Sequence, residues 1–439
     1  MVFSLPTPGF AANGTWLNTG ATSASWLNAD NWSAGTVPGL TAGTTNTDVA
    51  TFNTAIGGNS FGSSGTPIII DSGRNIGGIT FDTAAGNYFI GSTGLNPLLL
   101  TSGGAIQILS TLNTNSNVIE TVNAPLVLEG VSGTYSFTNN SANGAGVGAG
   151  TLDIGGGITG VSTGGNTTTL TLNGSNTNSN TVSGIIGDGS AGGKVALTKS
   201  GVGTWTLSGT NTYTGGTAIS AGTLIASNTQ ALGGPTAPLS LSGGSLILAT
   251  DSSTTAYNTT VTADSTIVSG RATNGVGITQ TLGTLSIGAD TLNITKGIKD
   301  TSGTAGLTFG ATTLSATGAT FTANSGTLLT LGSVSGNGNN FTVNGVGNTN
   351  ITGIIGTTTG TVTKSGTGTL TLSGTNTYTG GTTISAGILI ASNTQALGGP
   401  TAPLSLSGGS LILATDSSTT AYNTTVTADS TIVSGRATN

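Results

Sequence analysis

Cysteine and histidine are both absent from this chain. Without cysteine no disulfide can staple the fold and no thiolate site exists. Without histidine the Ser-His-Asp and Cys-His schemes and the HExxH zinc site are excluded. Charge is almost as scarce, with acidic and basic residues together making up 5% of the sequence, against about 25% in an average soluble domain. The 14 acids and 8 bases leave a net charge of −6. There is no basic stripe to meet nucleic acid or anionic lipid. No apolar run approaches the roughly 18 residues of a membrane helix. The opening "MVFSLPTPGFAA" lacks the basic start and long apolar middle of a signal peptide. If the protein is secreted, its signal is not part of this sequence. Missing cysteine suits a chain exported unfolded through an oxidising periplasm.

What fills the 439 residues is glycine, 76 of them, with threonine, serine and asparagine around short aliphatic runs. The low charge argues against disorder, which couples low hydrophobicity to high net charge. Glycine follows no strict third-residue period, so collagen is excluded. Leu370 and Leu372 alternate with Thr369 and Thr371, and Leu404 and Leu406 with Ser405 and Ser407. A period of two puts leucines on one face of a strand and hydroxyls on the other. Gly-Gly, Asn-Gly and Ser-Gly pairs divide the runs and permit positive φ at corners.

A long phrase is also written twice. Gly201–Asn274 recurs as Gly366–Asn439 with four changes: Val202/Thr367, Trp205/Leu370, Ala218/Thr383 and Thr223/Ile388. Looser similarity extends upstream through "GIIG" at Gly184 and Gly353, and "TKSG" at Thr198 and Thr363. Strands this short bury no core alone, but stacked coil on coil they form one continuous aliphatic column. In such a stack a residue sits about 4.8 Å from its counterpart in the next coil, so like charges would repel. The pattern therefore predicts an all-β parallel solenoid. With coils of roughly 20 residues it would form a rod on the order of 90 Å long from about Pro67 onward. The predicted organisation is a Trp-rich capping segment over 1–66, a first solenoid section over 67–200, one repeat block over 201–365 and an incomplete second over 366–439. The two copies are expected in equivalent superhelical positions. A sandwich is the competing architecture, but it gives no reason for near-identical blocks.

The stretch "LTKSGVGTWTLSGTNTYTGGTAISAGTLIASNTQALG" (Leu197–Gly233) closely resembles the autotransporter-associated β-strand repeat, also called the passenger-associated transport repeat. In that motif a Gly-Thr-Leu strand precedes Ser-Gly-x-Asn-Thr-Tyr-x-Gly-Gly-Thr and a second strand. The copy at Leu370 fits as well, and Gly14–Gly39 is similar to the opening of large secreted proteins that carry such repeats. The resemblance implies a right-handed parallel β-helix displayed outside a Gram-negative-type cell. The membrane barrel that ends an autotransporter is not supplied here, which leaves export and anchoring open.

Few residues offer chemistry. Glu120 and Glu129 are the only glutamates, and nine residues of separation would let them stack in adjacent coils as a glycosidase pair. The preferred reading makes them solvated carboxylates at turns or rims. "KGIKD" (Lys296–Asp300) is the one close charged cluster, read as a solvated loop. "GAGTLDIGGG" (Gly148–Gly157) only hints at a calcium nonapeptide. Trp16, Trp26 and Trp32 would form either a sugar-stacking platform or, preferably, a plug that closes the first coil. Thr169–Thr171 and Thr369–Thr371 raise ice binding, which needs one such pair per coil at constant spacing. No catalytic, metal or cofactor residue is assigned.

The reading is thus a non-enzymatic extracellular structural solenoid: a surface fibre, matrix component or adhesin stalk. The alternative is a carbohydrate-binding adhesin or carbohydrate-active passenger. Expected partners are copies of the chain itself or surface polysaccharide, with no nucleic acid and no membrane insertion. The second copy stops at Asn439, where the first continues into "GVGITQTLGTLSIG". The chain is therefore expected to continue there or to dock on another subunit.

Overall fold

Short parallel strands joined by glycine-rich corners build the molecule, as a computed structural model shows. It describes residues 12–17, 23–41, 43, 45–56, 61–114, 117–144 and 146–435. The expectation placed at Asn439 lies outside them. Among the described residues the only helical pieces are two 3-10 turns, Ala29–Asn31 and Ser33–Gly35. No helix there is long and apolar enough to cross a membrane, which says nothing of a β-barrel. The chain divides into two compact units. One runs to Thr217 and includes Ala231–Gly234; the other holds Ala218–Gln230 and everything from Pro235. Each is a parallel β-solenoid.

In the first unit, strands stack on three faces. One stack starts on the front of Leu98–Ile108 and adds Leu126–Leu128, Ile158–Gly160 and Ile186–Gly187. The back of the same strand carries Thr134–Asn139, Thr167–Gly174 and Lys194–Lys199. Gly103, at φ 86°, lies between the two halves, a conformation that glycine alone adopts without strain. The third stack runs through Phe89–Ile90, Val118–Val122, Gly150–Ile154, Asn180–Val182 and Thr204–Leu207. The start joins the same plan: Gly14–Thr15 pairs with Val49–Phe52, which pairs with Asn75–Phe81.

The second unit also has three stacks. The first runs from Leu239–Leu241 through Thr259–Val261, Leu285–Ile287, Thr312–Leu314 and Val334–Ser335 to Ile355–Gly356. The second begins at Thr223–Ala226, passes through Ser245–Ala249, Ser265–Gly270, Thr291–Lys296, Ala319–Ala323, Phe341–Gly345 and Val362–Lys364, and continues through Thr382–Ile384 and Leu404–Leu406 to Thr424–Val426. The third opens at Thr279–Thr281 and Ala305–Phe309 and reaches Ile388–Ala391, Gly409–Ala414 and Ser430–Gly435. Alternation decides the core. Leu224, Leu246 and Ile267 point inward, fully buried in register, while Ile225, Ile247 and Val268 point outward. Each inward aliphatic side chain contributes about 2 kcal/mol of burial.

The copied phrase does not return to the same face. Leu239–Leu241 lies in the first stack of this unit, yet its copy Leu404–Leu406 lies in the second. Thr223–Ala226 lies in the second stack and its copy Ile388–Ala391 in the third. The expectation of equivalent superhelical positions fails at this level. The physical reason is coil content. Around Leu239–Gly270 each coil contributes strands to two stacks, whereas the coils between Leu285 and Leu372 contribute to three. Local environments nevertheless match: Tyr213 and Tyr378 are both fully buried, and Leu370 replaces Trp205 at an equally buried inward position.

Candidate functional site

The best-defined polar constellation is the turn spelled by the repeated phrase. A turn that crosses the core must satisfy the backbone groups it interrupts. Asn376 does this on both sides. Its Oδ1 accepts from Ile355 N at 2.8 Å, and its Nδ2 donates to Ala396 O at 2.6 Å. In the earlier copy Asn211 Oδ1 accepts from Ile186 N at 2.8 Å and Nδ2 donates to Ala231 O at 2.6 Å. One buried amide thus ties the preceding coil to the following one. Two residues on, the tyrosine ring fills the interior while its hydroxyl bonds threonine: Tyr213 to Thr217 at 2.6 Å, and Tyr378 to Thr382 at 2.5 Å. Those threonines donate in turn to Leu232 O and Leu397 O. Burial drives the Tyr378 hydroxyl well above its usual pKa.

The phrase also carries a buried lysine. Lys364 Nζ donates to Ser365 O at 2.6 Å, Gly366 O at 2.7 Å and Ala386 O at 3.4 Å. Lys199 Nζ caps Ser200 O and Gly201 O at 2.8 Å each. Lys364 shares no ion pair with a carboxylate among the described residues. Desolvation lowers the pKa of each lysine to about 8. The ammonium acts as a clamp on turn carbonyls, a role that its position in "TKSG" did not disclose.

The glutamates are not at a rim. Glu120 is wholly buried in Val118–Val122, beside Leu152 of the next coil. Its Oε2 accepts from Tyr88 N at 2.9 Å, and its Oε1 has no hydrogen-bond partner. Desolvation raises its pKa to about 8, although backbone donors at Tyr88 and Asn87 oppose the shift. Glu129 follows the next strand, Leu126–Leu128, and is also buried. The two therefore sit in one coil, Glu120 on a strand and Glu129 just after the next, and are not stacked in adjacent coils. The corrections have two causes: Glu120 faces Leu152 of the next coil, 32 residues on, so nine residues do not reach an adjacent coil. The period-two pattern around Glu120 places it inward, and its local hydrophilicity does not override that register.

The tryptophans are interior. Trp16, Trp26 and Trp32 are buried and pack on one another and on Phe52, with Trp16 and Trp32 centroids 5.1 Å apart. Trp26 Nε1 donates to Pro38 O and Trp32 Nε1 to Trp26 O. Rings held this way offer no face to a sugar. Nor do the threonine pairs form a regular array. Thr169 and Thr171 lie in register with Thr134 and Ser136 on one side and with Ala196 and Thr198 on the other. Thr369 and Thr371 are followed in register by Ile388 and Ile390. Asp153, in the glycine-rich calcium-like stretch, is half-buried, and burial raises its pKa. Among the described residues no three His, Cys, Asp or Glu side chains gather as a metal site.

The model for the passenger-associated transport repeat matches twice, over 197–226 and 362–391, the segments that hold the buried lysine, asparagine and tyrosine. The chain is also similar to the adhesin BmaC autotransporter of Brucella suis biovar 1 (strain 1330), 43% identical over 79 residues. That stretch is 18% of this chain and 2% of the Brucella protein, so the chain spans a small fraction of that relative. No solved structure matches significantly. Two segments of this chain thus match the passenger-associated transport repeat, and both lie in stacked parallel coils of the β-solenoid.

Proposed function

We propose that the chain is a non-enzymatic structural element displayed outside a Gram-negative-type cell, as a surface fibre, matrix component or adhesin stalk. The observation that carries this reading is the use made of the reactive side chains. Lys199, Lys364, Asn211, Asn376, Tyr213 and Tyr378 are all buried, and each supports the coil stack through carbonyls, amides or threonine hydroxyls. Chemistry at a surface would need such groups exposed and convergent. Similarity to a protein named as an adhesin favours attachment as the purpose of the scaffold, with surface polysaccharide as one target.

Self-association is the second part of the proposal. In-register stacking of like strands holds each coil to the next, and a second copy of the chain offers the same words to such stacking. Concentration-dependent sedimentation should show association of the purified chain. A monomer at all concentrations would defeat the association. For the non-enzymatic reading, a polysaccharide-cleaving activity lost in Glu120→Gln/Glu129→Gln would be the overturning result.

A further inference from the structure

An aliphatic groove lies on the outward side of the second unit. Ile225, Ile247 and Val268 stand in register on three successive coils, and Thr295 follows on the fourth. The loop Lys296–Lys299 and the side chain of Arg271 wall this ladder, enclosing about 430 Å³. Ile298, in that loop, is 98% exposed. Three of the eight basic residues of the chain therefore gather at one apolar surface, in a molecule of net charge −6.

We propose that this groove binds an anionic amphiphile, its alkyl chain along the Ile225–Ile247–Val268 ladder and its head group at Lys296 and Lys299. Lys296 Nζ donates to Gly303 O, and Lys299 Nζ donates to Ala272 O. Each ammonium has three donors, so both keep capacity for a head group. Arg271 is engaged by Asp251 at 3.1 Å. Asp300 is 5% exposed and turned in beside Gly270 and Gly297, where burial raises its pKa. The charges of Lys296 and Arg271 oppose that shift, and with Arg271, Lys296 and Lys299 set against Asp251 and Asp300 the rim keeps one positive charge in excess.

The alternatives fit less well. A sugar needs a stacking face, and no aromatic residue lines the groove. An extended peptide needs a free strand edge, but Ser245–Ala249, Ser265–Gly270 and Thr291–Lys296 are each paired on both sides. A flat membrane suits a convex apolar face; here the ladder lies within a groove. An aliphatic floor with a cationic rim matches a single alkyl chain ending in a carboxylate, sulfate or phosphate.

The test uses the full chain and decanoate below its micelle concentration, followed by isoleucine methyl NMR. Saturable shifts at Ile225 and Ile247 are expected. Decylammonium should bind about tenfold more weakly or not at all. Lys296→Gln/Lys299→Gln should lower decanoate affinity by about fivefold per lysine. Ile247→Glu should abolish binding, whereas Ile412→Glu, at the copied position outside the groove, should leave it unchanged. The proposal falls if decanoate does not saturate, if decylammonium binds equally well, or if Ile412→Glu weakens binding as much as Ile247→Glu. Affinity for anionic vesicles without affinity for monomeric decanoate would also overturn it.

Discussion

Asn376 shows how a single side chain can fix a repeat. Truncation to alanine would strand a buried N–H at Ile355 and a buried carbonyl at Ala396. Each orphan costs about 1–3 kcal/mol. Asn376→Ala should therefore lower the unfolding free energy by about 2–4 kcal/mol, which denaturant unfolding would measure. A loss under about 0.5 kcal/mol would show that the amide is not a coil-to-coil tie. Glu120 works in the opposite sense. Its folded pKa, about 8, lies above the ordinary 4.5. Its contribution is complete below the unfolded pKa and is lost as pH rises through the folded one. The loss is on the order of 3 kcal/mol by pH 7. Glu120→Gln should remove that slope between about pH 4.5 and pH 8, with the variant more stable than the parent at pH 8. Stability curves of both proteins against pH would settle the sign. The lysines slope the other way. Lys199 and Lys364 have depressed folded pKa values, so their burial cost is full below about 8 and is relieved as pH rises toward 10.5.

At the level of strands and turns, the alternation of Leu370 and Leu372 with threonine was legible because a strand has only two faces. So was the parallel stacking, since the same words must lie beside their neighbours. The clamp beneath the turn was not. Nothing in the letters of "TKSG" says that lysine folds back over its own carbonyls; that depends on Gly366 reaching φ 70°. A methyl group there would stand 2.5 Å from Gly345 O and 2.6 Å from Asn344 Oδ1. Gly366→Ala should thus cost about 2 kcal/mol or more, and Gly201→Ala, at φ 67° and facing Asn173 and Gly174, should behave alike. Glycine-to-alanine changes at Gly43 or Gly94 have positive φ but open space, so they should show the backbone strain alone. Comparison of the melting temperatures separates the two terms.

Across the whole molecule, scarcity of charge governs behaviour. Among the described residues only Arg74–Asp71 and Arg271–Asp251 form ion pairs. Arg74–Asp71 is buried and little screened, while the more exposed Arg271–Asp251 pair contributes about 0–1 kcal/mol and is screened by salt. Raising sodium chloride from about 0.05 M to about 1 M should accordingly change the unfolding free energy by less than about 1 kcal/mol. A larger change in calorimetry would reveal electrostatics that the two pairs do not explain. The groove at Ile247 escaped the sequence for a related reason. Arg271 and Lys296 stand on consecutive coils, but register partners in this unit lie anywhere from 19 to 29 residues apart. Without a fixed coil length, no periodic signal marks residues that meet on the outside.

That variable coil content has an evolutionary corollary. Copying a block within this unit does not double the surface it presents; it turns that surface aside. Ile225, Ile247 and Val268 belong to the second stack, while their descendants Ile390, Ile412 and Val433 belong to the third. A receptor that recognises the first trio meets the second from another direction, so duplication here diversifies orientation before a single letter of the recognised ladder has mutated.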